Sequence, residues 1–413
     1  MTIKDICALL GIEELPERYG PGLERFDREW SRIREEPLLE LDKLAPLAEE
    51  GFLDAACFDD VNICLQKLKA EEPLAYTLQF LYHMLCVYGN SWDNDLYLTP
   101  APPCLEEYRY TFALILFLRT LYKGVTDDRR RGIPEDKIDQ MKGVFGGATG
   151  NCRAPWGIRD GFHWNMSCVM GAMFFVGTFR YELMEMPPYY RMYRRRSDGK
   201  LLALYCGEAR VDKAGQFTHL DELTAFRTEA SQGDWDGYMI RPDGVLLNQQ
   251  VTLSPEKWEP VYCAGDMALS YHIPGNIPYH VDMMKETFQE AVAFYQKYFP
   301  DIELKGIQCY SWLYSPQLRF MLSEESGINR LNSHLYLCPV PSGPDGFYSF
   351  VFHTDTAHFD PDTADADTSL KRGFIEFVRK GGRAHNGFMY LPLAYVDRLG
   401  SDCQELYAWD LFE

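Results

Sequence analysis

Two polar side chains of this chain stand where small-molecule chemistry is expected. His272 closes the run Gly265-Asp266-Met267-Ala268-Leu269-Ser270-Tyr271-His272-Ile273-Pro274-Gly275, and Tyr314 closes Gly306-Ile307-Gln308-Cys309-Tyr310-Ser311-Trp312-Leu313-Tyr314-Ser315-Pro316. An imidazole can relay a proton near neutral pH, or it can hydrogen-bond a loop carbonyl and fix a strand end. A phenol, with a pKa of about 10, can donate a proton, or its ring can simply pack on a sheet. A second polar set, His353-Thr354-Asp355-Thr356-Ala357-His358-Phe359-Asp360-Pro361-Asp362, has histidine and aspartate close enough in sequence to converge on a metal ion. It lacks the glycine turn and closing glutamate of a calcium loop, and Asp360, Asp362, Asp365 and Asp367 read better as a solvated acidic connection. No metal is expected.

The elements that must position His272 and Tyr314 are legible around them. Both runs read as strands. Between them Met284, Phe288, Ala291, Tyr295 and Phe299 recur three or four residues apart, the single apolar stripe of a helix of about five turns. Strand, crossover helix and returning strand in one sheet are almost always parallel, and ligands then bind beyond the carboxyl ends of the strands. Those ends are where His272 and Tyr314 lie.

Residues up to about 175 read as helices. Pro73 opens one at its first position, Leu105 to Tyr122 form a second with apolar residues on more than one side, and Pro134 starts another after Gly132. The small, polar segment Gly146 to Asn151 reads as a loop and lacks the pattern of a phosphate cradle. After Gly177 the texture changes to strands: Tyr189 to Tyr193, Lys200 to Tyr205, and a hairpin of Tyr238 to Ile240 and Val245 to Val251 around Arg241-Pro242-Asp243-Gly244. Further strands are expected at Ser333 to Val340, Phe347 to His353 and Phe388 to Val396, with a helix from Thr368 to Lys380 capped by Asp367 and ended by Gly381. The fold class is therefore α+β: an all-helical domain over 1–175, then a mixed β-sheet domain flanked by helices over 176–413.

Composition bounds the function. A chain of 413 residues exceeds what one core usually organises, and 46% hydrophobic with 14% aromatic residues supplies two. A formal charge of −20 argues against nucleic acid or an anionic membrane as partner. The basic cluster Arg191, Arg194, Arg195, Arg196 and Lys200 reads as a solvated hairpin face. Most of the twelve cysteines sit singly in apolar runs, as Cys64, Cys86, Cys168 and Cys309 do, and no Cys-x-x-Cys occurs, which reads as buried reduced thiols. No signal peptide is expected, since Lys4, Asp5 and Glu13 surround the short apolar patch Ile6 to Ile12, and the longest apolar run, Phe112 to Leu118, is far short of the ~20 residues that span a bilayer. A soluble cytoplasmic protein is expected, its oligomeric state unreadable.

The runs Trp258-Glu259-Pro260-Val261-Tyr262-Cys263-Ala264-Gly265-Asp266, Tyr271-His272-Ile273-Pro274 and Ser311-Trp312-Leu313-Tyr314-Ser315-Pro316-Gln317-Leu318 resemble those of a bacterial family of two-domain proteins. That family joins a helical N-acyltransferase N-terminal domain to a GNAT-like C-terminal domain. Asp367-Thr368-Ser369-Leu370-Lys371-Arg372 with Gly381-Gly382, and the junction Phe174-Phe175-Val176-Gly177-Thr178-Phe179-Arg180-Tyr181-Glu182, carry the resemblance further. It implies an acyltransferase that uses acyl-CoA or acetyl-CoA and a small-molecule, amine acceptor. In a GNAT-like site the strand before the crossover helix splays from its parallel neighbour to hold the pantetheine arm. Here that strand runs from Met267 to Ile273, and Pro274, which has no N–H, stops the ladder. Ser270, Tyr271, Ile273, Gly275, Asn276, His280 and Ser311 are then the cofactor-binding candidates, with the pyrophosphate near Tyr279, His280 and Val281 at a helix N-terminus. Tyr314 is implied as the acid for the leaving thiolate and His272 as the relay for the amine proton. The family's glycine-rich phosphate loop is replaced by Ile273-Pro274-Gly275-Asn276-Ile277-Pro278-Tyr279, with one glycine and two prolines. The alternative is a non-catalytic ligand-binding or regulatory protein that keeps the fold without that loop.

Overall fold

The computed structural model describes the chain except residues 90–93, 151–154, 232, 276, 278, 342–344, 402 and 413. It divides into two compact units, Met1–Phe175 and Val176–Glu413.

The first unit is helical: α1 (Ile3–Leu10), α2 (Tyr19–Ile33), α3 (Leu41–Glu49), α4 (Phe58–Ala70), α5 (Glu72–Cys86), α6 (Arg109–Arg131), α7 (Glu135–Ile138), α8 (Lys142–Thr149) and α9 (Phe162–Val169). Every residue from Phe112 to Leu118 is fully buried, so α6 is apolar all round and must be the central helix of the unit. Helices α3, α4, α5 and α9 pack against it. Pro73 lies in the first turn of α5, as expected. Gly132, at φ 75°, ends α6 in the left-handed conformation that spares a Cβ. Gly146 to Thr149 belong to α8 rather than to a loop, because Phe145, Ala148 and Thr149 give the segment a buried face despite its glycines; Asn151 lies outside the described residues.

The second unit begins with β1 (Phe174–Val176), β2 (Phe179–Glu185), β3 (Tyr190–Arg195), β4 (Leu201–Tyr205), β5 (Ala209–Val211), β6 (Phe226–Thr228), β7 (Asp236–Arg241), β8 (Val245–Thr252), β9 (Trp258–Tyr262) and β10 (Met267–His272). There follow α10 (Val281–Tyr298), β11 (Leu304–Ser311), α11 (Gly327–Asn332), β12 (Tyr336–Pro339), α12 (Asp345–Val351), α13 (Ser369–Arg379), β13 (Gly387–Pro392) and α14 (Cys403–Leu406). Six strands form one sheet in the order β1-β2-β10-β11-β13-β12, and five form another in the order β8-β7-β4-β3-β9. Only β10 and β11 are parallel among the registered pairs of the first sheet, joined by the crossover helix α10.

Tyrosines fill the space between the two sheets. Tyr262 stacks on Tyr390 at 3.6 Å and Tyr190 on Phe388 at 5.4 Å, while the Tyr336 hydroxyl donates to the Ile240 carbonyl at 2.5 Å. Each ring contributes apolar area to the core and each hydroxyl finds an acceptor, the condition for burying it. The far face of the first sheet is covered by α10 through Met284, Phe288, Ala291 and Tyr295, all fully buried.

Three local expectations are corrected. Phe347 to His353 is helical in α12 up to Val351: Phe347, Tyr348 and Val351 are buried and Phe350 is exposed, a helical spacing that two-residue alternation does not fit. The cap of α13 is Thr368, whose Oγ1 accepts from the Lys371 N–H at 3.1 Å, whereas Asp367 pairs with Lys371 Nζ at 3.1 Å. The last strand stops at Pro392 instead of reaching Val396, because a residue without an N–H ends the ladder and a 3-10 turn, Leu393–Arg398, follows.

Candidate functional site

The ladder between β10 and β11 is incomplete in a specific way. Met267, Ala268, Leu269 and Ser270 pair in parallel with Leu304, Gly306, Ile307 and Gln308, and there the register ends. Each strand nevertheless keeps its outer neighbour, β10 as far as His272↔Arg180 and β11 as far as Ser311↔Gly387. Tyr271 and His272 on one side, and Cys309, Tyr310 and Ser311 on the other, therefore have no ladder partner across the gap. The parting begins at Ser270, four residues before Pro274, where the sequence placed it.

Side chains pin the last paired residues. Ser270 is 7% exposed and Gln308 1%. Gln308 Oε1 accepts from the Tyr262 hydroxyl at 2.5 Å, and its Nε2 donates to the Glu185 carbonyl at 3.2 Å, so this buried amide is tied to β9 of the second sheet and to β2 beyond β10. Just past the parting, the Cys309 thiol donates to the Tyr271 carbonyl at 3.1 Å. Burial pushes that thiol well above its usual pKa, which keeps it protonated and unsuited to act as a nucleophile.

Tyr314 ends a short 3-10 turn, Trp312–Tyr314, that begins where β11 stops; Ser311 caps the turn, its Oγ accepting from the Leu313 N–H at 3.2 Å. Gly387 allows the approach of β13: a Cβ there would stand 1.9 Å from the Tyr314 carbonyl oxygen. Tyr314 is fully buried, and its hydroxyl meets those of Tyr271 and Tyr279, forming a row of three phenols with Tyr314 at the centre. Burial raises the pKa of all three above the phenol value, so they remain neutral and can hold or pass a proton without ionising. Tyr271 is buried and Tyr279 half-buried, which makes Tyr279 the outward end of the row.

On the other face of β10, His272 is 38% exposed and its Nε2 lies 2.8 Å from Glu182 Oε1 on β2, a carboxylate that fixes the ring. From the sequence alone Glu182 is legible only as a junction residue. Its partnership follows from antiparallel pairing of β2 with β10, which the intervening strands β3 to β9 conceal in the sequence. His280 is the N-cap of α10, its Nδ1 accepting from the Met283 N–H at 3.3 Å, and Asp282 lies in the same first turn. Ile273 is half-buried and Gly275 exposed, just past the strand end; Asn276 lies outside the described residues. The structure thus gathers Ser270, Tyr271, His272, Ile273, Ser311 and Tyr314 around the parted strand ends, with His280 at the head of α10.

The acidic segment near residue 353 has other partners. His358 Nδ1 lies 2.8 Å from Asp355, Asp362 pairs with Arg379 at 2.8 Å and Asp365 with Lys371 at 2.8 Å. No group of three or more metal-ligating side chains occurs among the described residues. The basic hairpin is likewise matched to acids: Arg194 and Arg196 to Glu259, Arg195 to Asp198 and Asp410.

The chain belongs to the family described as GNAT-like C-terminal domain, whose model matches residues 174–390, just over half of the sequence. No curated protein matches it. Among solved structures, a mutant acyltransferase in complex with octanoyl-CoA has a similar fold, with TM-score 0.52 and 16% identity over 95% of this chain and 100% of that one. An acyltransferase in complex with CoA and 10C-teicoplanin, and one in complex with decanoyl-CoA and teicoplanin, each give TM-score 0.51 at 16% identity, again over 95% of this chain and 100% of theirs. At that identity the likeness is one of fold. Among the described residues no helix is long and apolar enough to cross a membrane.

Proposed function

We propose that the protein is an acyltransferase that moves an acyl group from acyl-CoA to a small-molecule amine. The observation that carries this reading is the parting of β10 and β11 after Ser270 and Gln308, which frees main chain for an extended thioester arm. Similar folds are occupied by CoA, octanoyl-CoA or decanoyl-CoA, which supports the same class of donor here. In this reading residues 1–175 are the N-acyltransferase N-terminal-like domain and 176–413 the GNAT-like domain.

The pantetheine arm would lie along Tyr271 and Ile273, with Ser270 and Ser311 at the parting and Gly275 in the loop beyond; Asn276, the remaining candidate, lies outside the described residues. The pyrophosphate would meet the head of α10 at His280. The amine nitrogen attacks the thioester carbonyl carbon, its proton passes to His272 as the new C–N bond forms, and the C–S bond breaks as Tyr314 gives its proton to the departing sulfur. Tyr279 and Tyr271, bonded to Tyr314, would return that proton.

One observation favours the non-catalytic reading. His280 already takes one N–H at the head of α10, and Asp282 sets a negative charge where a pyrophosphate would rest. A thermal-shift series with acetyl-CoA, octanoyl-CoA, decanoyl-CoA and free CoA separates the readings when followed by thiol release in the presence of amines. Stabilisation by a thioester with amine-dependent thiol release is the expected result. Stabilisation without release under any amine favours a binding protein, and no stabilisation by any of the four overturns acyl transfer from CoA.

A further inference from the structure

The phenol row is not held by its hydroxyls alone. Tyr279 and the turn bearing Tyr314 both touch one short helix, α11. That helix is itself anchored: Ser326 caps it, its Oγ accepting from the Asn329 N–H at 3.2 Å, and Asn329 Nδ2 donates to the carbonyls of Leu322 at 3.1 Å and Ser323 at 3.0 Å. Leu331 adds a fully buried side chain. At the head of α11, Gly327 permits a close approach to Tyr279, since a Cβ there would stand 2.7 Å from the Tyr279 carbonyl oxygen. At its last residue, Asn332 Nδ2 donates at 2.9 Å to the carbonyl of Leu313, the residue before Tyr314.

Asn332 is a costly residue for the place it occupies. It is 8% exposed, and its Oδ1 has no hydrogen-bond partner among the described residues. Turning the amide over brings no relief, because Oδ1 would then face the Leu313 carbonyl oxygen. A buried acceptor left unmatched destabilises a folded chain, and an apolar side chain of similar size would avoid that penalty. What only the amide supplies is a donor that fixes the direction of the Leu313 carbonyl, and with it the backbone from which the Tyr314 ring extends. Resting on the acyl-transfer reading, in which Tyr314 gives its proton to the departing sulfur, we propose that Asn332 is a positioning residue. Through Leu313 it aims Tyr314, and α11 couples that aim to Tyr279 at the outward end of the row. The unmatched oxygen is a loss of stability tolerated for the placement of a reacting group.

Asn332→Leu keeps much of the volume and removes the amide. In thiol-release assays on the full chain it should lower kcat about tenfold, with KM for acyl-CoA unchanged to within about twofold. Tyr314→Phe and the double variant carrying Asn332→Leu as well should then turn over alike, because a residue that acts through Tyr314 has nothing left to aim. A residue that only packs would lower kcat by the same factor in both backgrounds. Asn332→Ala serves the same comparison if the leucine variant does not fold. A second readout needs no turnover: the fall in urea midpoint caused by Tyr279→Phe should shrink by about half or more in the Asn332→Leu chain, where the bond between Tyr279 and Tyr314 is no longer set. Equal losses of kcat in both Tyr314 backgrounds, or no loss, would overturn the proposal. If the unmodified chain releases no thiol from any thioester, acyl transfer fails and the urea comparison alone decides the positioning role: an undiminished Tyr279→Phe shift overturns it, and a halved one upholds it.

Discussion

Tyr314 is the residue on which the catalytic reading is most exposed to test, because its burial can be explained in two ways. As a structural residue it supplies one hydroxyl that satisfies two others, those of Tyr271 and Tyr279. As a general acid it holds a proton that burial makes hard to lose and that neighbours can replace. Tyr314→Phe separates the two. Both roles predict a loss of stability of about 1–3 kcal/mol, since the buried Tyr271 and the half-buried Tyr279 each lose a partner. Only the catalytic role predicts a fall in kcat of about 10²-fold or more with KM for acyl-CoA nearly unchanged, the usual range for removing a positioned acid. A folded variant that turns over at the unmodified rate would leave Tyr314 a packing residue. His272 differs in kind: it is partly exposed, and Glu182 holds its ring at 2.8 Å.

At the scale of elements, the site exists because two strands that share a sheet stop pairing. The β10, α10, β11 unit was legible from its periodicity, because apolar spacing and chain order determine it. The residue at which pairing ends was not. Pro274 is a visible stop, yet the parting occurs at Ser270 because Gln308 is tied sideways to Tyr262 and Glu185, and β13 holds β11 as far as Ser311. Those are contacts between residues far apart in sequence. The phenol row was half legible: Tyr271 and Tyr314 stood out as strand-end residues, but nothing in their spacing brings Tyr279 onto them. The close approach of β13 gives a direct test of how the turn bearing Tyr314 is held. Gly387→Ala would drive a methyl group into the Tyr314 carbonyl, 1.9 Å from the built Cβ, and backbone on both sides has little room to yield. A loss of about 1–3 kcal/mol, the range for overpacking, is expected in urea unfolding. An unchanged midpoint would mean that β13 does not hold the turn.

Over the whole molecule the acidic surplus, a formal charge of −20, makes stability depend on pH through many exposed carboxylates, and one buried carboxylate should dominate the helical unit. Asp128 on α6 is fully buried, and neither of its oxygens has a hydrogen-bond partner among the described residues. Burial is the main reason its pKa rises from 3.8 to about 7; Asp127 adds to the rise, while Arg131 and Lys123 oppose it. Between these two values the folded protein retains a proton that the unfolded chain has released, so the folded state loses ground as pH rises and carries the full penalty above about 7. Asp128→Asn keeps the shape without the charge and should remove that penalty. From the two pKa values its advantage over the unmodified protein should be on the order of 2 kcal/mol at about pH 5.5 and on the order of 4 kcal/mol at about pH 8. The exposed carboxylates titrate alike in both proteins and cancel in the difference, which leaves the slope to Asp128 alone. Urea unfolding of the two proteins at both pH values measures it, and an advantage that does not grow with pH would mean that Asp128 is ionised and compensated in the folded protein.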